Sequence, residues 1–272
     1  MLKILTMVIL FASCSQAFAQ SQSIDTLKDL VTLGDTTTTD QATRADNKWR
    51  VMLGAGAAVF PRFSGSEDYK GGLVPLVHLS YGRFFVGIGG IGADLFRDRT
   101  WRLNVHLTGS RGRQESDDAH LRGLGDVDST LRGGISARYS AGHFAASVQV
   151  LSDLLGRDQG TLARVDAYAR FMPTRRFIFL AGPGITWVNG RYSQTYFGVN
   201  ATQHLNSGLP QFDASSGLNS VRLSGTGIYF FNRHWFGMAS ASVAQLQDDA
   251  ARSPITESRS QNSLLIAASY VF

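Results

Sequence analysis

The 272-residue chain has a single cysteine, Cys14, so no disulfide can form between two of its own residues. It also lacks any apolar run of the roughly 20 residues needed for a membrane-spanning helix. The longest such run, Ile4 to Ala12, is half that length. No segment of useful length between Trp49 and Phe272 reads as a helix, and 29 glycines would weaken helices further. No G-x-S-x-G occurs, and His78, His106, His120, His143, His204 and His234 stand in no recognisable nucleophile motif. His120 beside Asp117 and Asp118 reads as a solvated loop. The acidic pieces "GDVD" (Asp126, Asp128) and "SEDY" (Glu67, Asp68) fall short of the ligand count of a calcium site. "GIGGIG" has no helix after it to make a phosphate loop. These absences predict a protein that is not an enzyme, with no cofactor and no metal.

At the front, Lys3, the short apolar run and Ala17-Phe18-Ala19 have the layout of a secretory signal peptide, residues 1–19, cut after Ala19. An alternative cleavage box precedes Cys14, which would then be lipidated. Taking Lys3 from 26 basic residues leaves 25 against 21 acidic ones. A surplus of four is too mild to imply nucleic acid. Residues 20–48, with a threonine run and almost no aromatics, read as a flexible periplasmic arm.

From Trp49 the dominant signal is alternation with a period of two. In "WRLNVHLTGS" Trp101, Leu103, Val105 and Leu107 oppose Arg102, Asn104, His106 and Thr108. "STLRGGISARYS" and "TLARVDAYARF" repeat the split. The segments run about 9 to 13 residues, longer than is common in soluble sheets and suited to a tilted membrane crossing. Aromatics cluster at segment ends, as at Trp49, Tyr81, Phe84, Tyr139, Trp235 and Tyr270, which suits the interfaces of a bilayer. Short and long connections alternate only if "FFVGIGGIGADLFRD" is a short hairpin folded at Gly89-Gly90. The expectation is an all-β, closed antiparallel transmembrane β-barrel over residues 49–272, with about 12 strands (10 to 12) and both ends periplasmic.

In such a barrel the polar face lines the lumen. Arg50, His78, Arg102, His106, Arg132, Arg138, Arg164, Asp166, Arg170 and Arg222 should point inward, with Asp166 the one clear inward acid. Guanidinium groups there either favour anions in a water-filled pore or cross-link strands. Leu264, Ile266, Ala268, Tyr270 and Phe272 share one face of the last segment. That segment should close the sheet on the first strand, with Tyr270 and Phe272 as the closure and assembly signal read by the barrel-assembly machinery.

Several pieces together resemble the MltA-interacting protein (MipA)/OmpV family of Gram-negative outer-membrane proteins: "GSEDY" from Gly65, "LRGLGDVD" from Leu121, "YSQTYFGV" from Tyr192, "SGLP" and "FDASSGL" before Asn219, "NRHW" from Asn232 and "SPI" from Ser253. The resemblance covers about Trp49 to Phe272. It implies an outer-membrane barrel in contact with lipid that scaffolds wall-remodelling enzymes, a periplasmic lytic transglycosylase and murein synthase. Other members are discussed as porin-like, and the family carries no catalytic set to transfer. Most of these pieces fall on the long, outward connections, where a periplasmic enzyme cannot reach them.

Overall fold

The computed structural model describes residues 49–272. The signal-peptide cut, Cys14 and the arm of residues 20–48 lie outside the described residues. Twelve strands form one closed antiparallel barrel: β1 (Trp49–Pro61), β2 (Tyr69–Tyr81), β3 (Phe84–Gly87), β4 (Gly90–Arg97), β5 (Trp101–Ser110), β6 (Thr130–Ala141), β7 (Phe144–Asp153), β8 (Thr161–Thr174), β9 (Phe177–Val188), β10 (Gly217–Phe230), β11 (Trp235–Leu246) and β12 (Ser260–Val271). The hairpin β3–β4 is the short one that the parity of the connections requires.

Closure comes from β1 pairing with β12, Met52 opposite Val271 through Val59 opposite Leu264. The Phe272 N–H adds a bond to the Val51 carbonyl at 2.9 Å. Closing the sheet leaves no edge pair at this seam, the condition for backbone polar groups to sit in hydrocarbon. Burial alternates along each strand. In β5 Arg102, Asn104, His106 and Thr108 are buried while Trp101 and Leu107 are exposed. The exposed positions elsewhere are apolar, including Leu73 at 78%, Leu223, Ile266, Val243 and Ile135. Such a surface is stable only against lipid.

One rim carries short turns and cross-strand aromatic pairs. Trp49 faces Tyr81, Trp101 faces Tyr139 and Trp235 faces Tyr270, with ring centroids 4.9 to 5.2 Å apart. Pairs of this kind contribute about 0.5–1.5 kcal/mol each beyond area burial. No helix among the described residues is long and apolar enough to cross a membrane.

At the other rim the long connections do not remain irregular. They carry three short helices, α1 (Gly190–Phe197), α2 (Ala201–Ser207) and α3 (Asp248–Arg252), each of eight residues or fewer. Asn189 and Asn200 cap α1 and α2 by accepting from the N–H groups of Tyr192 and Gln203. Helices this short are unstable alone and need packing. Phe63, Leu121, Leu124, Val199 and Ile255 form one buried cluster, and Tyr196, Phe197, Ala214, Leu246 and Ala250 another. The outward motifs therefore converge in one folded cap over that end of the barrel.

Candidate functional site in the barrel lumen

Strand register sets the order of the inward side chains. Arg102 on β5 opposes Arg138 on β6, Arg138 opposes Ser147, Ser147 opposes Asp166, Asp166 opposes Gly184, and Gly184 opposes Arg222. This row lies along the hydrogen-bonding direction of six consecutive strands. Its central contact joins β8 to β10 across β9: the Arg222 guanidinium donates to Asp166 Oδ1. Gly184 makes this reach possible, since a Cβ there would lie 2.0 Å from Asp166 Oδ1. Both charged side chains are almost wholly buried, so each depends on the other to offset lost hydration.

A diagonal contact uses a glycine in a similar way, for Gly134 opposes His106 and Leu151 while Gln149 opposes Ser136. His106 on β5 reaches Gln149 on β7, Nε2 to Nε2 at 3.1 Å, across Gly134 on β6. A Cβ at Gly134 would lie 2.6 Å from the imidazole. Asn104 Oδ1 meets His106 Nδ1 at 3.1 Å and accepts from the Ser136 hydroxyl at 2.8 Å. The imidazole of His106 is thus held at both ring nitrogens by amide side chains.

Nearer the cap, Arg132 donates through Nη2 to the Gln159 side chain at 3.1 Å, and its guanidinium lies 5.4 Å from the Tyr192 ring centre. The Tyr196 hydroxyl donates to the same Gln159 oxygen at 2.8 Å. Arg113 Nη1 donates to the Tyr196 carbonyl, also at 2.8 Å. Burial lowers the Arg113 pKa to about 10, which still leaves it charged at neutral pH, and burial pushes the Tyr196 phenol up. Arg113 and Tyr196 are thus the joint between cap and lumen.

Of the positions singled out in the sequence, Arg102, His106, Arg132, Arg138, Arg164, Asp166 and Arg222 are buried. Arg164 opposes Gln149 and Thr186 in the row next to the Asp166 pair. Arg50 and His78 are half-buried on β1 and β2; the His78 ring stacks on Phe85, 6.4 Å between centroids. Arg170 turns to the short-turn rim and donates to the Gly142 carbonyl at 2.6 Å. Tyr270 opposes both Leu53 and Trp235, and Phe272 is 70% exposed with its ring 4.7 Å from Tyr270.

The reading of Asp166 as the one clear inward acid is corrected by Asp94 on β4. It is buried, accepts from Arg102 Nε at 2.7 Å and lies 3.2 Å from Arg97. Alternation from Ile91 would have placed it inward, but the shift of register between Asp94 and Phe96 breaks the pattern. Among the described residues, five buried strand arginines (102, 132, 138, 164 and 222) stand against the two buried strand carboxylates, Asp94 and Asp166. Arg132 Nη1 and Arg222 Nε and Nη1 are buried without a hydrogen-bond partner. No cluster of three or more metal-ligating side chains occurs among the described residues.

The sequence is similar to that of a known outer-membrane protein. Over 229 residues, 82% of this chain and 91% of the relative, the sequence is 23% identical to "Putative outer membrane protein YiaT" of Escherichia coli (strain K12). The protein of the same name in Escherichia coli O157:H7 matches equally. Among solved structures, the NanC porin superposes with a TM-score of 0.42 at 11% identity, covering 81% of this chain and 98% of that one. The KdgM porin does so with a TM-score of 0.40 at 6% identity, covering 81% and 99%. The protein is an outer-membrane β-barrel. Residues 53–272 match the family described as MltA-interacting protein MipA, and the chain belongs to that family.

Proposed function

We propose that the lumen is a narrow, anion-favouring passage or binding chamber for small solutes. The observation that carries this reading is the excess of buried guanidinium over buried carboxylate, with Arg132 and Arg222 each retaining unpartnered N–H groups. Low-dielectric walls strengthen the field of those charges on a small anion. Reversal potentials across a planar bilayer in a potassium chloride gradient test it. Chloride preference, reduced in Arg132→Gln, is expected; potassium preference would overturn the reading.

A second reading, a scaffold for wall-remodelling enzymes, is favoured by a different observation. The short turns carry exposed Arg83, Arg99, Arg175, Arg176 and Arg233, with Asp98 the one acid among these turn residues. That rim, taken as periplasmic by the rule that short turns face that side, suits an acidic protein surface. The family description names interaction with MltA, a lytic transglycosylase in the family resemblance, and murein synthase is the second partner that resemblance implies. Residues 20–48 then act as a tether once the leader, residues 1–19, is removed. Pull-down of a lytic transglycosylase by the mature chain should fail after deletion of 20–48 or after Arg175→Glu with Arg176→Glu. Retention of the enzyme by both variants would sink the scaffold reading. Tyr270 and Phe272 serve as the signal to the barrel-assembly machinery, so Phe272→Ala should slow the appearance of folded barrel in cells.

A further inference from the structure

β2 spans thirteen residues and its neighbour β3 only four. Pairing between them covers His78 to Tyr81. Above that, Tyr69–Val77 has β1 on one side and, among the described residues, no strand on the other. On the far bank β4 follows β5 only as far as Leu107, so Thr108–Ser110 pairs with β6 alone. The wall is therefore interrupted in its outward half, between β2 and β5, above the tip of the β3–β4 hairpin.

The register shows which backbone groups face this gap. Val51 accepts from Phe272, so odd positions of β1 bond to β12 and even positions to β2. In β2 the even residues then bond to β1, and Gly71, Leu73, Pro75 and Val77 aim their backbone at the gap. Pro75 has no N–H to offer there. Proline belongs at strand edges and prevents another strand from zipping on. On the opposite bank Gly109 is exposed on the lipid face of β5, where a Cβ would meet nothing within 4 Å. Above, Lys70 Nζ and Arg111 Nη2 lie 3.8 and 3.0 Å from Asp117 Oδ1, tying the cap to both banks.

Behind the gap lies the apolar part of the interior. Ile178, Ile228, Met238, Ala267, Gly56 and Val74 are successive members of one register row, running from the short-turn end of β9 to the bare edge of β2. Leu76 continues the parallel row, fully buried, and Ile88 at the hairpin tip packs on the same cluster. We propose that this interruption is a lateral portal, through which a single-chain amphiphile of the outer leaflet, such as a fatty acid, passes its alkyl tail onto the apolar interior row. The polar head answers the backbone groups at Gly71 and Leu73, which hydrocarbon leaves unsatisfied. A second copy of the chain fits worse, because Pro75 interrupts the ladder that strand addition needs.

Residues 20–272 contain no cysteine, so single-cysteine variants of the mature chain report position cleanly. In nanodiscs holding a membrane-dissolved pyrene maleimide, Leu76→Cys, inward at the gap, should label several-fold faster than Ser147→Cys, inward behind a wall paired on both sides. Palmitate should slow the first and leave the second alone. Gly109→Trp should lay an indole over the gap from the lipid face and bring Leu76→Cys down to the Ser147→Cys rate, without altering ion preference. Leu73→Cys, outward on the same strand, is the positive control, and heat-modifiable mobility on gels confirms folding. If Leu76→Cys fails to fold, Val74→Cys takes its place. Equal rates for the inward gap and Ser147 cysteines in folded barrels, or no effect of Gly109→Trp, would overturn the portal whatever the conductance.

Discussion

Along β8 the buried inward positions are Leu162, Arg164, Asp166 and Tyr168; along β12 they are Gln261, Leu265, Ala267 and Ser269. The same alternation supplies both lists, yet the first half of the interior is built from charges shared between strands and the second from small and aliphatic side chains. In the polar half Asp166 is committed to Arg222 two strands away across Gly184, and His106 to Gln149 past Gly134. In the apolar half the cross-strand bonds are uncharged, Thr226 to Ser240 and Ser242 to Ser263, and the rest is aliphatic packing. Register is therefore specified on one side of the barrel by an ion pair that reaches over a strand and on the other by packing and pairs of hydroxyls.

That contrast can be broken most forcefully at Arg222. Arg222→Leu strands the Asp166 carboxylate and should cost about 3–5 kcal/mol, with most of it recovered when Asp166→Leu is added. Urea midpoints of the single and double variants in detergent micelles measure this. In the apolar half Leu265→Ala should cost about 2–4 kcal/mol, and it should add independently to Arg222→Leu. A larger loss at Leu265 than at Arg222 would reverse the comparison. Gly134→Ala places a methyl against His106 and Leu151 and should cost about 1–3 kcal/mol by overpacking. It should also separate His106 from Gln149, visible as a changed imidazole nitrogen chemical shift by NMR.

The smallest effect lies in the cap. The Arg252 side-chain bond and the Ser215 N–H hold the Asp249 carboxyl below its ordinary range. A depressed folded pKa means that this carboxylate stabilises the cap above the unfolded value and stops doing so as pH falls through the folded one. Hydrogen exchange at Ser215 should therefore quicken on acidification while β10 amides stay protected. Asp249→Asn should remove the pH dependence.

The barrel was legible because its two faces meet different solvents, so alternation in segments such as Trp101–Ser110 had to survive in the residues themselves. Asp94 was not, because the irregularity before Phe96 shifts the phase within an eight-residue strand. The cap helices were hidden by brevity. "NATQ", with Asn200 and Gln203 in reciprocal capping, was the local signal available. What no one-dimensional pattern carries is the bridging of Asp166 to Arg222, which depends on the register of a strand lying between them. The gap beside β2 has the same origin: the brevity of Phe84–Gly87 is visible in sequence, but not which backbone groups it leaves bare.

The pairing of Met52 with Val271 joins residues more than two hundred positions apart. Ten strands must already be stacked in order before that contact can form, and the entropy of bringing such remote stretches together is spent with nothing gained until they touch. Zipping the first strand to the last is thus the late, slow event in the biogenesis of this molecule. Whatever catalyses its insertion must hold two raw margins apart from every other chain until they find each other.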